Sequence, residues 1–172
     1  VEHSITPEQF TSTKNLFSKK LKMHLSELDQ EKDHNTGGTG FLQYATHNII
    51  KPKAKNNILE KLIDKGRVGM YGIRISKEEV GLCYVLYGYT NGDSDKYAAQ
   101  RTNQVCELIL SDMGMQHKGP KFIFTDGNAR LEALHVLNTA VKEGNLFDIG
   151  ATSSVFGTPN AENTCQVNAK AK

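Results

Sequence analysis

No run in the 172 residues approaches the roughly 20 consecutive apolar positions that a membrane-crossing helix needs, and the opening VEHSITPEQF has neither a basic start nor an apolar signal core. Membrane insertion is therefore not expected. Cysteine is scarce. Cys83, Cys106 and Cys165 form an odd, widely spaced set that argues against a disulfide framework and a paired-cysteine zinc site, and points to reduced thiols in an intracellular compartment. Charge of one sign is not in excess either: 21 Lys and Arg against 19 Asp and Glu leave a net charge of +2. A nucleic-acid partner is permitted by that balance but not demanded. The six histidines, His3, His24, His34, His47, His117 and His135, show no HxxxH or HExxH spacing, which leaves them as surface or packing residues. Internal repeats and low-complexity tracts are absent.

What is present suits one domain over 1–172, since 38% hydrophobic residues can bury one core in a chain of this length. The first residue is Val and the last segment is NAKAK, so an excerpt truncated at both ends is expected. Thr6, Pro7 and Gln9 read as a helix start, with Thr capping, Pro at the first helical position and Gln reaching back. The spacing predicts a helix from Pro7 to Lys20 with Phe10, Leu16, Phe17 and Leu21 inward, then a strand over 22–28. The polar run DQEKDHNTGGTG reads as a loop, and GFLQYATHNII as a hairpin or sheet return. Strands are predicted over 66–75, 80–89 and 121–125, the last two as interior strands because VGLCYVLYGY and KFIF are apolar on both faces. Helical spacing marks 96–113, and again Leu131, Leu134, Leu137 and Val141, with a stop near Gly144. Strands alternating with helices predict an α/β sandwich.

Chemistry concentrates in KFIFTDGNARLEAL, where Asp126 and Asn128 stand at the point where a strand gives way to a loop and helix, the edge at which α/β folds build sites. A carboxylate there can hold a hard divalent cation or orient a water, and an amide two residues on can hydrogen-bond a phosphate oxygen without adding negative charge. Asp, Gly and Asn are equally the commonest turn residues, so the tripeptide alone admits an ordinary turn. GGTG lacks the Lys and Ser or Thr of a phosphate-binding loop and reads as a flexible loop. Lys51, Lys53, Lys55, Lys61 and Lys65 can track a nucleic-acid backbone or simply form a solvated face.

Around this segment, residues 119–172 resemble the endonuclease/exonuclease/phosphatase family as it occurs in retroelement-type endonucleases. TDGNA stands where that family has GDFNA, and NLFDIGA and TCQVNAKAK follow in a similar order. The likeness extends back through AAQRTNQVCELIL and LYGYTNGD to GGTGF and to VEH, which looks like the end of the family's QE strand motif. The resemblance implies a DNase I-like α/β sandwich, incomplete here, with mixed β-sheets covered by helices. It also implies one Mg²⁺ (or Mn²⁺) ion ligated by Glu2, with Asp126 positioning or deprotonating the attacking water. Asn128 would hold the scissile phosphate, and Tyr87, with Tyr89 as the second choice, would hydrogen-bond it. The implied substrate is nucleic acid, DNA ahead of RNA.

The departures are specific: Thr125 and Gly127 replace the family's usual glycine and apolar residue, and the chain has no histidine after His135 to match the family's catalytic one. Two classes of function stay open. One is a magnesium-dependent phosphodiesterase or endonuclease. The other is a catalytically inert structural or interaction subunit that joins the protein subunits of a larger assembly.

Overall fold

The computed structural model describes residues 2–3, 5–16, 19–31, 34–36, 38–47 and 49–149. The chain divides into two compact units, 1–136 and 137–172. The first holds a four-stranded mixed sheet in the order β6 (Ile49–Ile50), β7 (Val68–Arg74), β8 (Val80–Tyr87), β9 (Lys121–Asp126). A three-stranded antiparallel sheet in the order β1 (Glu2–His3), β5 (Gly38–Tyr44), β2 (Leu21–Leu25), and a small hairpin of β3 (Asp29–Glu31) with β4 (His34–Thr36), complete its strands. The helices are α1 (Pro7–Leu16), α2 (Asn57–Asp64), α3 (Lys96–Met115) and α4 (His135–Lys142). The protein is thus an α/β protein with mixed sheets, and no helix among the described residues is long and apolar enough to cross a membrane.

β8 is the centre of the arrangement, antiparallel to β7 on one side and parallel to β9 on the other. Successive side chains on a strand point to opposite faces, so VGLCYVLY feeds two cores. Cys83 and Val85 join Tyr71 against Phe41, Ile49, Ile73 and Phe122. The alternate face sends Tyr84 to α3, where its hydroxyl donates to Asp112 Oδ2 at 2.7 Å. Burial of both faces explains why the sequence is apolar throughout: every β8 residue except Val80 is buried.

Asp112 is fully buried and ties three elements together. Its Oδ1 accepts from the amides of Lys55 (2.5 Å) and Asn56 (3.1 Å), ahead of α2, while Oδ2 accepts from Tyr84 Oη and Gln116 Nε2 (3.0 Å). A buried carboxylate is tolerated only when hydrogen bonds replace its hydration, and four donors do so here. Burial and the adjacent Asp112 carboxylate both push the Tyr84 hydroxyl well above its ordinary pKa, so it remains a donor.

Several expectations are corrected. α1 begins as predicted, with Thr6 N donating to Gln9 Oε1 at 3.1 Å, but it ends at Leu16, and Leu21 opens β2 rather than closing the helix. Phe17 lies outside the described residues. The polar run over 29–40 is not a plain loop: it pairs β3 with β4 and begins β5, whose Gly38, Thr39 and Gly40 are buried. The stretch over 40–50 crosses between sheets, because β5 pairs with β1 and β2 while β6 pairs with β7. β9 is an edge strand among the described residues, with Phe124 52% exposed, so KFIF is not interior. α2 went unforeseen, although Asn56 caps it by accepting from Ile58 N and Leu59 N. α4 begins at His135 instead of directly after Asn128.

In the second unit the rest of α4 ends as the glycine predicted. Gly144 has φ +74° and donates to Val141 O at 3.0 Å, and Asn145 N and Leu146 N close on Ala140 O.

Two measurements check this core. Asp112→Ala strands four donors and is expected to lower the unfolding free energy by about 3 kcal/mol or more, and Tyr84→Phe by about 1–2 kcal/mol; urea titration of the double variant should fall short of the sum. Burial pushes the Cys83 thiol up to about 11 and that of Cys106 up to about 12. Both should resist iodoacetamide at pH 8 until the chain unfolds. Because their folded pKa values lie above the unfolded ones, their contribution to stability is complete at neutral pH and declines as pH rises past about 9, toward about 11 for Cys83 and about 12 for Cys106.

Candidate functional site

The parallel register of β8 against β9 sets Tyr87 directly beside Asp126. Just beyond, Gly88 N donates to Asp126 O at 2.7 Å, and Asn128 Nδ2 donates to Gly88 O at 3.0 Å. The two strand ends are thereby locked to each other. Asn128 holds φ +50°, a left-handed conformation that Asn tolerates better than most residues, and its amide N–H donates to Asp126 Oδ1 at 3.1 Å. TDGNA is therefore an Asx-type turn built against the β8 end, with the Asp126 side chain exposed.

The close approach requires glycine. A Cβ on Gly88 would collide with the carbonyl oxygen of Gly127 and stand 2.6 Å from its carbonyl carbon. Backbone cannot step aside as a flexible side chain can. One turn further, Gly92 N donates to Asn128 O at 2.9 Å, and Arg130 N donates to Asp93 Oδ1 at 2.7 Å, so the loop ahead of α3 lies on the loop after β9.

Glu2 is positioned by its backbone; its side chain lies outside the described part of the structure. It pairs with Thr39 of β5. Thr39 Oγ1 lies 2.9 Å from where a Cβ on Gly69 would stand, Gly69 pairs with Val85, and Val85 with Phe124, two residues short of Asp126. β5, the strand with which Glu2 is paired, thus approaches the four-stranded sheet at Gly69 and Val85, two residues before the end that carries Tyr87 and Asp126. The same end receives the chain from α2, where Gly66 at φ +77° packs on the backbone of Glu27.

A cationic and aromatic stack supports this rim and escaped the sequence reading. Arg67 is 2% exposed, and its Nη1 makes long hydrogen bonds to Tyr87 O (3.4 Å) and Gly88 O (3.5 Å). Its guanidinium lies 5.5 Å from the Tyr87 ring centre and 4.3 Å from that of Tyr89, and Arg101 stands 3.8 Å from the Tyr89 ring. Such contacts are worth about 0.5–2 kcal/mol each, more when desolvated. The available signal was an arginine between Gly66 and an apolar strand, where a charge is out of place unless something pairs with it.

The remaining predicted residues separate plainly. Tyr87 is 7% exposed, whereas Tyr89 is half-buried between the two guanidinium groups. Lys51, Lys53, Lys55, Lys61 and Lys65 are all exposed. Gly38, Thr39 and Gly40 of GGTG open the strand β5 and are buried there. His24 Nε2 sits 3.0 Å from Gln43 Nε2, and burial, aided by Lys51 and Lys22, lowers its pKa. Among the described residues no group of three or more His, Cys, Asp or Glu gathers to hold a metal. NLFDIGA runs into residues 150–151, and TCQVNAKAK with Cys165 lies wholly outside the described residues.

Comparison with known proteins finds no matching family model, no matching curated protein and no matching solved structure.

The glycine contact is testable by a pair of substitutions. Gly88→Ala is expected to cost about 1–3 kcal/mol and to shift the amide resonances of 126–128, because the added methyl forces backbone apart. Gly114→Ala, in α3 with open space around it, is expected to stabilise by about 0.5–1 kcal/mol.

Proposed function

We propose that this chain is a divalent-metal-dependent phosphodiesterase domain of the endonuclease/exonuclease/phosphatase type, a DNase I-like sandwich acting on nucleic acid, DNA ahead of RNA. The observation that carries the reading is the pairing of Tyr87 with Asp126 at one rim, with Asn128 bonded to the adjoining Gly88. A three-stranded and a four-stranded sheet in one α/β unit, with α3 joining β8 to β9, support the same architecture.

The donor set suits Mg²⁺ or Mn²⁺, since these hard cations take carboxylate oxygens and keep several waters, so that one or two carboxylates suffice. Glu2 and Asp126 are the residues that would hold or face the ion. When bound, such an ion neutralises charge that develops on the phosphate. Asp126 is exposed and has Oδ1 fixed by the Asn128 amide, an arrangement that orients the carboxylate to accept a proton from water. Asn128 gives one N–H to Gly88 O, and the second N–H of the same amide is assigned to the scissile phosphate. The Tyr87 hydroxyl is assigned a further hydrogen bond to that phosphate, with Arg67 stacked on its ring.

Two observations favour the inert reading, a structural subunit among protein partners: Tyr87 is buried, and Asn128 already serves the turn. Nicking of supercoiled DNA in Mg²⁺ separates the two. Asp126→Ala is expected to reduce nicking by about 100-fold or more while leaving the unfolding midpoint within the range of an exposed substitution. Equal nicking by the two proteins rejects the role of Asp126, and absence of nicking from both favours the inert subunit.

A further inference from the structure

The first two turns of α3 present an aromatic and basic strip beside the rim. Tyr97 is 77% exposed, an unusual position for a large ring on a helix that buries its opposite face. Arg101 lies four residues on, which sets it on the same face of the helix as Tyr97, and it too is exposed. Its guanidinium covers the Tyr89 ring at 3.8 Å, and Tyr89 N donates to Thr102 Oγ1 at 2.9 Å, so strand end and helix are joined at this point. Tyr89 is one residue past Gly88, whose amide is bonded to Asp126 O. The strip therefore runs from α3 directly to the candidate site.

Asp95 caps α3 by accepting from Tyr97 N at 2.9 Å, which fixes the first turn that carries the Tyr97 ring. Tyr97 and Arg101 are both exposed on this turn and the next.

We propose that Tyr97, Arg101 and Tyr89 form a binding surface for an unpaired nucleic-acid strand, with Tyr97 stacking a base and Arg101 meeting the adjoining phosphate. Bases stack on exposed aromatic rings whatever their sequence, and arginine adds a salt-dependent attraction to the backbone. Bases enclosed in a duplex cannot reach Tyr97 in this way, so the surface selects single-stranded or unpaired substrate. This inference rests on the phosphodiesterase reading only for placing the bound strand next to a reacting phosphate; binding itself does not depend on catalysis.

The test is fluorescence anisotropy with a short fluorescein-labelled single-stranded oligodeoxynucleotide in EDTA, where metal-dependent cleavage is silent, against the duplex of the same sequence. The wild-type chain is expected to bind the single strand more tightly. Tyr97→Ala should weaken binding about tenfold, whereas Tyr97→Phe should match wild type. Arg101→Ala should both weaken binding and flatten its salt dependence, and Lys118→Ala, an exposed change outside the strip, should do neither. Since Tyr97 is largely exposed, its substitution leaves the fold intact, which circular dichroism verifies. Equal affinity of Tyr97→Ala and wild type, preference for the duplex, or no binding by wild type would each overturn the proposal. Tyr97-dependent binding with nicking unaffected by Asp126→Ala would instead remove the phosphodiesterase reading and leave this surface standing.

Discussion

Where Gly88 passes Gly127, two backbones run so close that neither could approach if Gly88 carried a side chain. The hydrogen bonds on either side, Gly88 N to Asp126 O and Asn128 Nδ2 to Gly88 O, depend on that clearance. So does the direction of the loop that follows, because Gly92 N then reaches Asn128 O. Asp126 and Asn128 are held at the β8 end through this contact. The left-handed backbone of Asn128 is part of the same constraint, since it turns the chain away from the β8 end immediately after Asp126.

A rim of this kind needs a rigid floor, and β8 supplies it by packing both of its faces. One face meets Tyr71 and Phe41, whose rings lie 5.0 Å apart, and the other reaches α3 through Tyr84 and Asp112. Asp112 also receives the backbone ahead of α2, so the segment leading to Arg67 is anchored to the same carboxylate as the strand that Arg67 later supports. Arg67 then closes the arrangement at the rim, where its charge lies over Tyr87 and Tyr89. The stability of the core and the geometry of the site are thus linked through β8 and the two ends of α2.

The elements legible in the sequence were those with one dominant local cause. β8 was readable from its unbroken apolar run, the start of α1 from Thr6, Pro7 and Gln9, and the end of α4 from Gly144. α2 was hidden because its lysines drew attention to charge, while the signal lay in Asn56 and in Ile58, Leu59 and Leu62 at helical spacing. β9 read as interior because a short apolar run is compatible with either position, and only pairing distinguishes an edge from a centre. The polar β3–β4 hairpin has no apolar alternation to betray it. At the site, Asp126 and Asn128 stood out by residue type and by their place after a strand. Arg67 and Arg101 did not, because their partner Tyr89 is distant in sequence from both and the stack forms only when the strand end meets α3.

The central claim is that the rim at Tyr87 and Asp126 holds a divalent cation together with Glu2. Paramagnetic line broadening by Mn²⁺ tests it most directly, since the effect decays steeply with distance from the ion. The account predicts broadening centred on the amides of 2–3, 87–88 and 126–128, and its loss in Asp126→Ala. Broadening centred at the opposite end of the sheet, around Val80 and Lys121, or none at these positions, would contradict it.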